Sequence, residues 1–139
     1  MEPAKIIASA EAENTGGIYK TELRVDQHLL ITDEPVSVGG KDEGPAPGSF
    51  LCMSLASCKV ITLRMYAQRK GWNVTSIKIK VDLVKAADTT SGNSTFYCEI
   101  SLSGDLTHEQ KTRLMEIAKA CPIQKLLMKP SEIISTLVE

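Results

Sequence analysis

Four cysteines, at positions 52, 58, 98 and 121, are the residues through which this chain could do covalent chemistry. A thiolate is a nucleophile, a reductant and a metal ligand, so each cysteine is weighed between reactivity and packing. No two are spaced as C-x-x-C and only two histidines accompany them, which argues against a zinc site. Cys52 precedes Cys58 by six residues, about 240° around a helix, so the two do not share a face. Cys98 falls on the apolar side of an alternating segment. Both read as small buried hydrophobes. Cys121 stands between two helical segments, where unpaired backbone N–H groups favour a thiolate and lower its pKa. It also continues the apolar face of Leu114, Ile117 and Ala118, so reactivity and packing both stay open for it. Cys58 lies mid-helix, where a thiol gains little from the helix dipole, and its residue-level reading favours packing. If reactive, it needs a positive charge brought from elsewhere; Thr62, one turn on, offers a hydroxyl to its sulfur. His28 and His108 have no neighbours suggesting catalysis.

The elements that must position these thiols follow from periodicity. Residues 4–12, 17–25 and 28–38 are rich in Ile, Val, Leu and Thr with turn signals between them, and predict three strands in a meander. Gly39 to Pro47 is a loop by composition, and loops so placed often line sites. From Pro47 to Lys70, Leu51, Leu55, Cys58, Thr62 and Met65 form one helical stripe. Phe50, Leu63 and Tyr66 widen that stripe, and Met53 and Val60 lie on other faces, which predicts a helix buried on most sides. Gly71 is a plausible C′ glycine with Trp72 packing back over the last turn. Residues 74–85 and 95–103 read as strands joined by a polar loop over 86–94. Thr107 with Gln110 forms a capping box for a helix over 108–120, which Pro122 stops. Pro122 opens a short helix over 122–128, and 132–138 closes the chain as a strand. The order βββ-α-ββ-αα-β predicts an α+β fold, as a single domain over 1–139.

Bulk properties narrow the partners. The 139 residues carry a net charge of −1, with acids and bases interspersed and no basic stripe interleaved with aromatics, so nucleic acid is not expected. No apolar run reads as long enough to span a bilayer, and Met1 to Lys5 does not resemble a signal peptide. The expected location is the cytoplasm, where these cysteines are not expected to form structural disulfides. No metal or other cofactor is implied.

Two segments carry a family resemblance. The stretch Gly44-Pro45-Ala46-Pro47-Gly48-Ser49-Phe50-Leu51-Cys52-Met53-Ser54-Leu55-Ala56-Ser57-Cys58 resembles the Gly-Pro-x-Pro lead into a central helix with a cysteine that marks the OsmC/Ohr family (osmotically inducible and organic hydroperoxide resistance proteins). Thr62-Leu63-Arg64-Met65-Tyr66-Ala67 and Lys70-Gly71-Trp72 are similar to one OsmC-like branch, as are Asp33-Glu34-Pro35-Val36 and Gly39-Gly40. Ala120-Cys121-Pro122-Ile123-Gln124-Lys125 resembles the family's second-cysteine motif, so the resemblance covers almost the whole chain.

The resemblance implies an intertwined homodimer, with antiparallel sheets around paired central helices. It implies a thiol-dependent peroxidase in which Cys58 attacks an organic hydroperoxide and Cys121 resolves the sulfenic acid as a disulfide that an external dithiol reduces. The chain departs from the family pattern where peroxidase members carry an activating Arg/Glu pair: Ile18 follows Gly16-Gly17, and Gly48 and Ser49 occupy the glutamate's stretch. Gln124 stands where a histidine is frequent. Arg24, or Glu43 with Lys41, are candidate substitutes, although a solvated surface charge is the simpler account of each. Two other functions fit the same residues: a sulfur-handling thiol protein without peroxidase activity, and a dimeric module binding a small ligand.

Overall fold

The computed structural model describes residues 3–85 and 92–138. The chain divides into two compact units, Met1–Leu51 and Cys52–Glu139.

The first unit is an antiparallel sheet of β1 (Glu11–Glu13), β2 (Thr21–Val25) and β3 (His28–Thr32) in that order. Asp26, with φ of 52°, turns the β2–β3 hairpin. After β3 the chain folds around one carboxylate. Asp33 is buried, and its oxygens accept backbone N–H bonds from Glu34, Lys41 and Glu43. These bonds, that from Glu43 foremost, hold its carboxyl below the usual aspartate value. Gly40 packs so closely on the chain that an added Cβ would lie 2.0 Å from the Glu34 carbonyl oxygen. A 3-10 turn, Val36–Val38, fills the span between.

The first unit differs from expectation at three places. The strand expected over 4–12 is found at 11–13, because Glu11 already pairs with Arg24 near the hairpin end of β2. The residues before it run past the available edge, and Ile6 and Ile7 are exposed. Regular strand begins at Thr21 rather than 17, after a bend held by Asn14 Nδ2 bonding the Gly17 and Lys20 carbonyls. The third strand stops at Thr32 rather than 38, because the Asp33 side chain takes the Glu34 amide and the chain then turns into the 3-10 helix over Val36–Val38.

The helix α1 (Pro47–Lys70) runs on into the second unit, followed by β4 (Val74–Lys85), β5 (Ser94–Gly104), α2 (His108–Ala118) and α3 (Pro122–Leu127). The end of α1 is a Schellman motif, with Trp72 N–H on the Ala67 carbonyl and Gly71 N–H on that of Gln68. Gly71 takes φ of 70° there, and the Trp72 ring meets Tyr66 edge-on at 5.5 Å. β4 and β5 form an antiparallel pair in which Ile79 faces Ile100 and Val81 faces Cys98. The alternate side chains are polar, so one face of this ribbon is apolar and the other wet. The core gathers on the apolar face: Leu63, Ala67, Val74, Leu114 and Ala118, flanked by Tyr66, Trp72, Ile77, Ile79, Ile100 and Leu102. Thr107 and Gln110 exchange both bonds of the capping box that starts α2.

The expected long helix, both strands of the ribbon and both shorter helices are present. α2 ends at Ala118, two residues early, because Pro122 lacks an N–H for the turn that would continue it. Residues 86–91 of the expected 86–94 loop lie outside the described residues. The closing strand over 132–138 is absent: these residues have no regular structure, and Ile133, Ile134, Leu137 and Val138 are exposed. A strand needs a partner for its backbone groups, and this segment pairs with none of the described strands.

The buried stripe of α1 is also not the expected one. Leu55, Lys59, Leu63 and Ala67 are buried, while Leu51 and Met65 are exposed and Cys58 and Thr62 half-buried. A helix apolar on several sides does not announce which side the sheet will take. By length and composition α1 is also long and apolar enough to cross a membrane, contrary to the expectation from sequence. Only one charge, Lys59, interrupts its first seventeen residues. The core helix of a soluble protein meets the same criterion, and α1 sets its stripe into the protein core.

Leu63 has no exposed surface, so Leu63→Ala leaves a cavity at the centre of the second unit. A loss of about 3 kcal/mol in unfolding free energy is expected from urea denaturation, with the m-value unchanged.

Candidate active site

Two of the four cysteines meet. Cys58, midway along α1, and Cys121, at the N-cap of α3, have thiols near enough to influence one another, and both are free. Cys58 is half-buried and Cys121 has no exposed surface. The approach follows from the local folding. α2 is anchored through Leu114 and Ala118 to the core that Leu63 and Ala67 of α1 occupy. The chain leaves α2 at Lys119 and restarts at Pro122, which puts Cys121 at the joint against α1.

The electrostatics of Cys121 run opposite to the expectation of a lowered pKa. The backbone amides of Gln124 and Ile123 do favour the thiolate. Burial outweighs them, and the hydrogen bond with Cys58 adds to it, so the thiol pKa is raised above its ordinary value of 9.0. A negative charge on Cys58 opposes ionisation of Cys121 further. Cys121 is therefore held in its protonated form. The signs of the N–H effects were legible from sequence; the depth of burial was not.

The other candidates each have a setting of their own. Thr62 is half-buried, and no hydrogen bond from its hydroxyl to Cys58 is among those the described residues make. Arg24 is on β2 in the first unit, exposed and paired with Glu22 at 2.8 Å. Glu43 is in the Asp33 loop, where its N–H serves Asp33 and its carboxylate faces Lys20 at 3.8 Å. Lys41 contributes its N–H to the same aspartate. Arg64 donates to the Val74 carbonyl at 2.6 Å, tying α1 to the start of β4. Cys52 and Cys98 are both half-buried. Cys98 lines a cleft of about 300 Å³ together with Leu55, Phe96, Gln124, Leu127 and Met128.

One residue escaped the sequence reading. Lys59 is 4% exposed, and its ammonium donates to the Ala118 carbonyl at 2.8 Å and to Gln124 Oε1. A lone lysine four residues from Leu55 on one side and Leu63 on the other was the available signal. It places a charge on the stripe that the core must cover.

The profile of the OsmC-like protein family matches residues 40–136, which takes in both cysteine motifs and the helix, ribbon and joint that present them. The chain belongs to the OsmC family. Solved structures share this α+β fold, with its antiparallel sheets and long central helix. A Psychrobacter arcticus protein assigned to osmotic stress induction and the detoxification response is 24% identical, with a TM-score of 0.73 over 88% of this chain and 90% of its own. The organic hydroperoxide resistance protein OsmC of Legionella pneumophila is 17% identical, with a TM-score of 0.67 over 90% and 91%. An organic hydroperoxide resistance protein of Elizabethkingia anophelis, with thiocyanate bound, is 20% identical, with a TM-score of 0.61 over 91% and 90%. No curated protein matches this OsmC chain.

The raised pKa of Cys121 has a definite sign in pH. A thiol whose folded pKa exceeds its unfolded one contributes stability that is whole below the unfolded value and is lost as pH rises through the folded one. In Cys52→Ser/Cys98→Ser protein, the pH midpoint for iodoacetamide alkylation of Cys121 is expected above 9.0. Adding Cys58→Ala removes one cause of the shift and should lower that midpoint; mass spectrometry of the labelled peptide reads it.

Proposed function

We propose that this OsmC protein is a thiol-dependent peroxidase that reduces organic hydroperoxides, with Cys58 as nucleophile and Cys121 as resolving thiol. The contact between a half-buried Cys58 and a fully buried, protonated Cys121 carries the reading. The Cys58 thiolate attacks the outer peroxide oxygen, the O–O bond breaks, and the departing alkoxide takes a proton to leave as alcohol. The resulting sulfenic acid is prone to irreversible over-oxidation unless a second thiol intercepts it. Cys121 attacks the sulfenic sulfur, a disulfide forms and water leaves. An external dithiol then restores both thiols by two exchange steps. The organic hydroperoxide resistance proteins of Legionella pneumophila and Elizabethkingia anophelis share the fold and support this substrate class.

The working form in this proposal is a cytoplasmic homodimer in which both units of the chain make up one OsmC-like domain. Ile6 and Ile7 near one end, Ile133, Ile134, Leu137 and Val138 near the other, and Leu51, Met53, Ile61 and Met65 on α1 are all exposed apolar side chains. Surface of that kind is characteristic of an interface. Light scattering should therefore give twice the 15.1 kDa of one chain; a monomer at micromolar concentration would refute this part.

A second reading, a thiol–disulfide or sulfur-handling protein without peroxidase activity, is favoured by one observation. Both residues offered as substitutes for the family's Arg/Glu pair are engaged in their own unit, Arg24 with Glu22 and Glu43 with Lys20. Intact mass and thiol counting after one equivalent of cumene hydroperoxide separate the two. The peroxidase loses two thiols rapidly, Cys58→Ser loses at least about a thousandfold in rate, and Cys121→Ser stops at Cys58 sulfenic acid, which a second equivalent carries to sulfinic acid. Four unchanged thiols in the wild type would overturn the peroxidase and leave the sulfur-handling reading.

A further inference from the structure

Lys59 is a buried charge that the chemistry above does not use. Among the described residues no carboxylate lies within ion-pair distance of it; both its partners, the Ala118 carbonyl and the Gln124 amide, are neutral. A desolvated ammonium without a counter-charge costs stability, and a methionine would fill the same space without that cost. The charge is better accounted for by what it holds.

It holds the two sides of Cys121. Ala118 lies three residues before that cysteine and Gln124 three after it. The Ala118 carbonyl is left open at the end of α2, because the residue four further on is Pro122, which has no N–H to give. A cation suits that position, since the C-terminus of a helix carries partial negative charge. Gln124 serves both: its side-chain oxygen accepts from Lys59, and its backbone amide, in the first turn after Cys121, favours the thiolate there. The residue before Lys59 in α1 is Cys58, the thiol that meets Cys121. Neighbouring residues of one helix thus grip the same joint, one through the ammonium and one through the sulfur.

We propose that Lys59 is a positioning residue for the resolving thiol, clamping the ends of α2 and α3 so that Cys121 stays beside Cys58. This rests on the assignment of Cys58 and Cys121 as the working pair. The step it serves is condensation of the Cys58 sulfenic acid, formed by an organic hydroperoxide, with the Cys121 thiol. The S–S bond forms, the S–O bond breaks, and the hydroxyl leaves with the thiol proton as water. The clamp raises the effective concentration of one sulfur at the other.

The test uses Lys59→Met, Lys59→Arg and Gln124→Ala in a Cys52→Ser/Cys98→Ser background, with two readouts. The equilibrium constant for the Cys58–Cys121 disulfide is measured in dithiothreitol redox buffers, without peroxide. The ratio of disulfide to Cys58 sulfinic acid is measured by mass spectrometry after excess cumene hydroperoxide. Lys59→Met should lower the disulfide constant at least tenfold and shift the oxidised product toward sulfinic acid. Lys59→Arg, which keeps the charge and the donors, should recover to within about threefold, following the hydrogen-bonding range of a guanidinium. Gln124→Ala, which removes one acceptor from a partly exposed position, should move both readouts in the same direction by a smaller factor, and it carries the test if Lys59→Met does not fold. A merely structural lysine would lower the melting temperature without changing either readout in folded protein. Unchanged disulfide constants in the folded variants would overturn the proposal. A wild type that forms the disulfide in the redox buffer and ignores peroxide would refute the peroxidase and leave the role of Lys59 standing. One that forms no disulfide under either condition would refute both.

Discussion

The end of α2 carries a hydrogen-bonding constraint that the arrangement of the second unit answers. Pro122 has no N–H, so the helix cannot close another turn on the Ala118 carbonyl, and a carbonyl buried in the core must find a donor elsewhere. Lys59 supplies it from the buried stripe of α1. A lysine stem is apolar enough to lie among Leu55, Leu63 and Ala67, while its head needs polar company at the far end. The joint between α2 and α3 provides that company twice, through Ala118 and Gln124. The same break that leaves the carbonyl open also stops the chain at Cys121 and turns its sulfur toward α1.

Magnitudes decide the character of the thiol pair. Two amide N–H groups at the start of a six-residue helix are a weak source of positive potential, because the macrodipole needs several aligned peptides to build. Complete burial withdraws the water that would stabilise an anion, and for a thiol this is the larger effect. The result is an unequal pair: a partly accessible sulfur on α1 and an inaccessible, protonated one behind it. Sulfenic acid chemistry calls for that inequality, since the first sulfur must meet an outside molecule and the second must meet only the first.

The first unit shows a different solution to a similar problem. There a carboxylate, Asp33, organises a loop by accepting three backbone amides, and Gly40 lets the chain pass close enough to do so. Arg24 and Glu43 are drawn into exposed local ion pairs, each of little energetic weight. The fold is kept relative to solved OsmC structures that share less than a quarter of its sequence. Such tolerance is what core packing allows when pattern and volume are retained.

What was readable in the residues alone was local. The capping box at Thr107, the stop at Pro122, the Schellman glycine at 71 and the alternation along β4 and β5 each depend on a few neighbours in the chain, and each appears where its residues place it. The family, too, was legible, because its motifs are runs of adjacent residues. What only the tertiary structure decided depends on partners distant in sequence. Residues 4–10 and 132–138 have the composition of strands but pair with none of the described strands, and composition does not report pairing partners. The buried face of α1 was ambiguous because apolar residues ring the helix, and the core chose the face bearing Lys59. The rise in the Cys121 pKa likewise reflects how much protein surrounds the sulfur, a property of three dimensions that no spacing along the chain encodes.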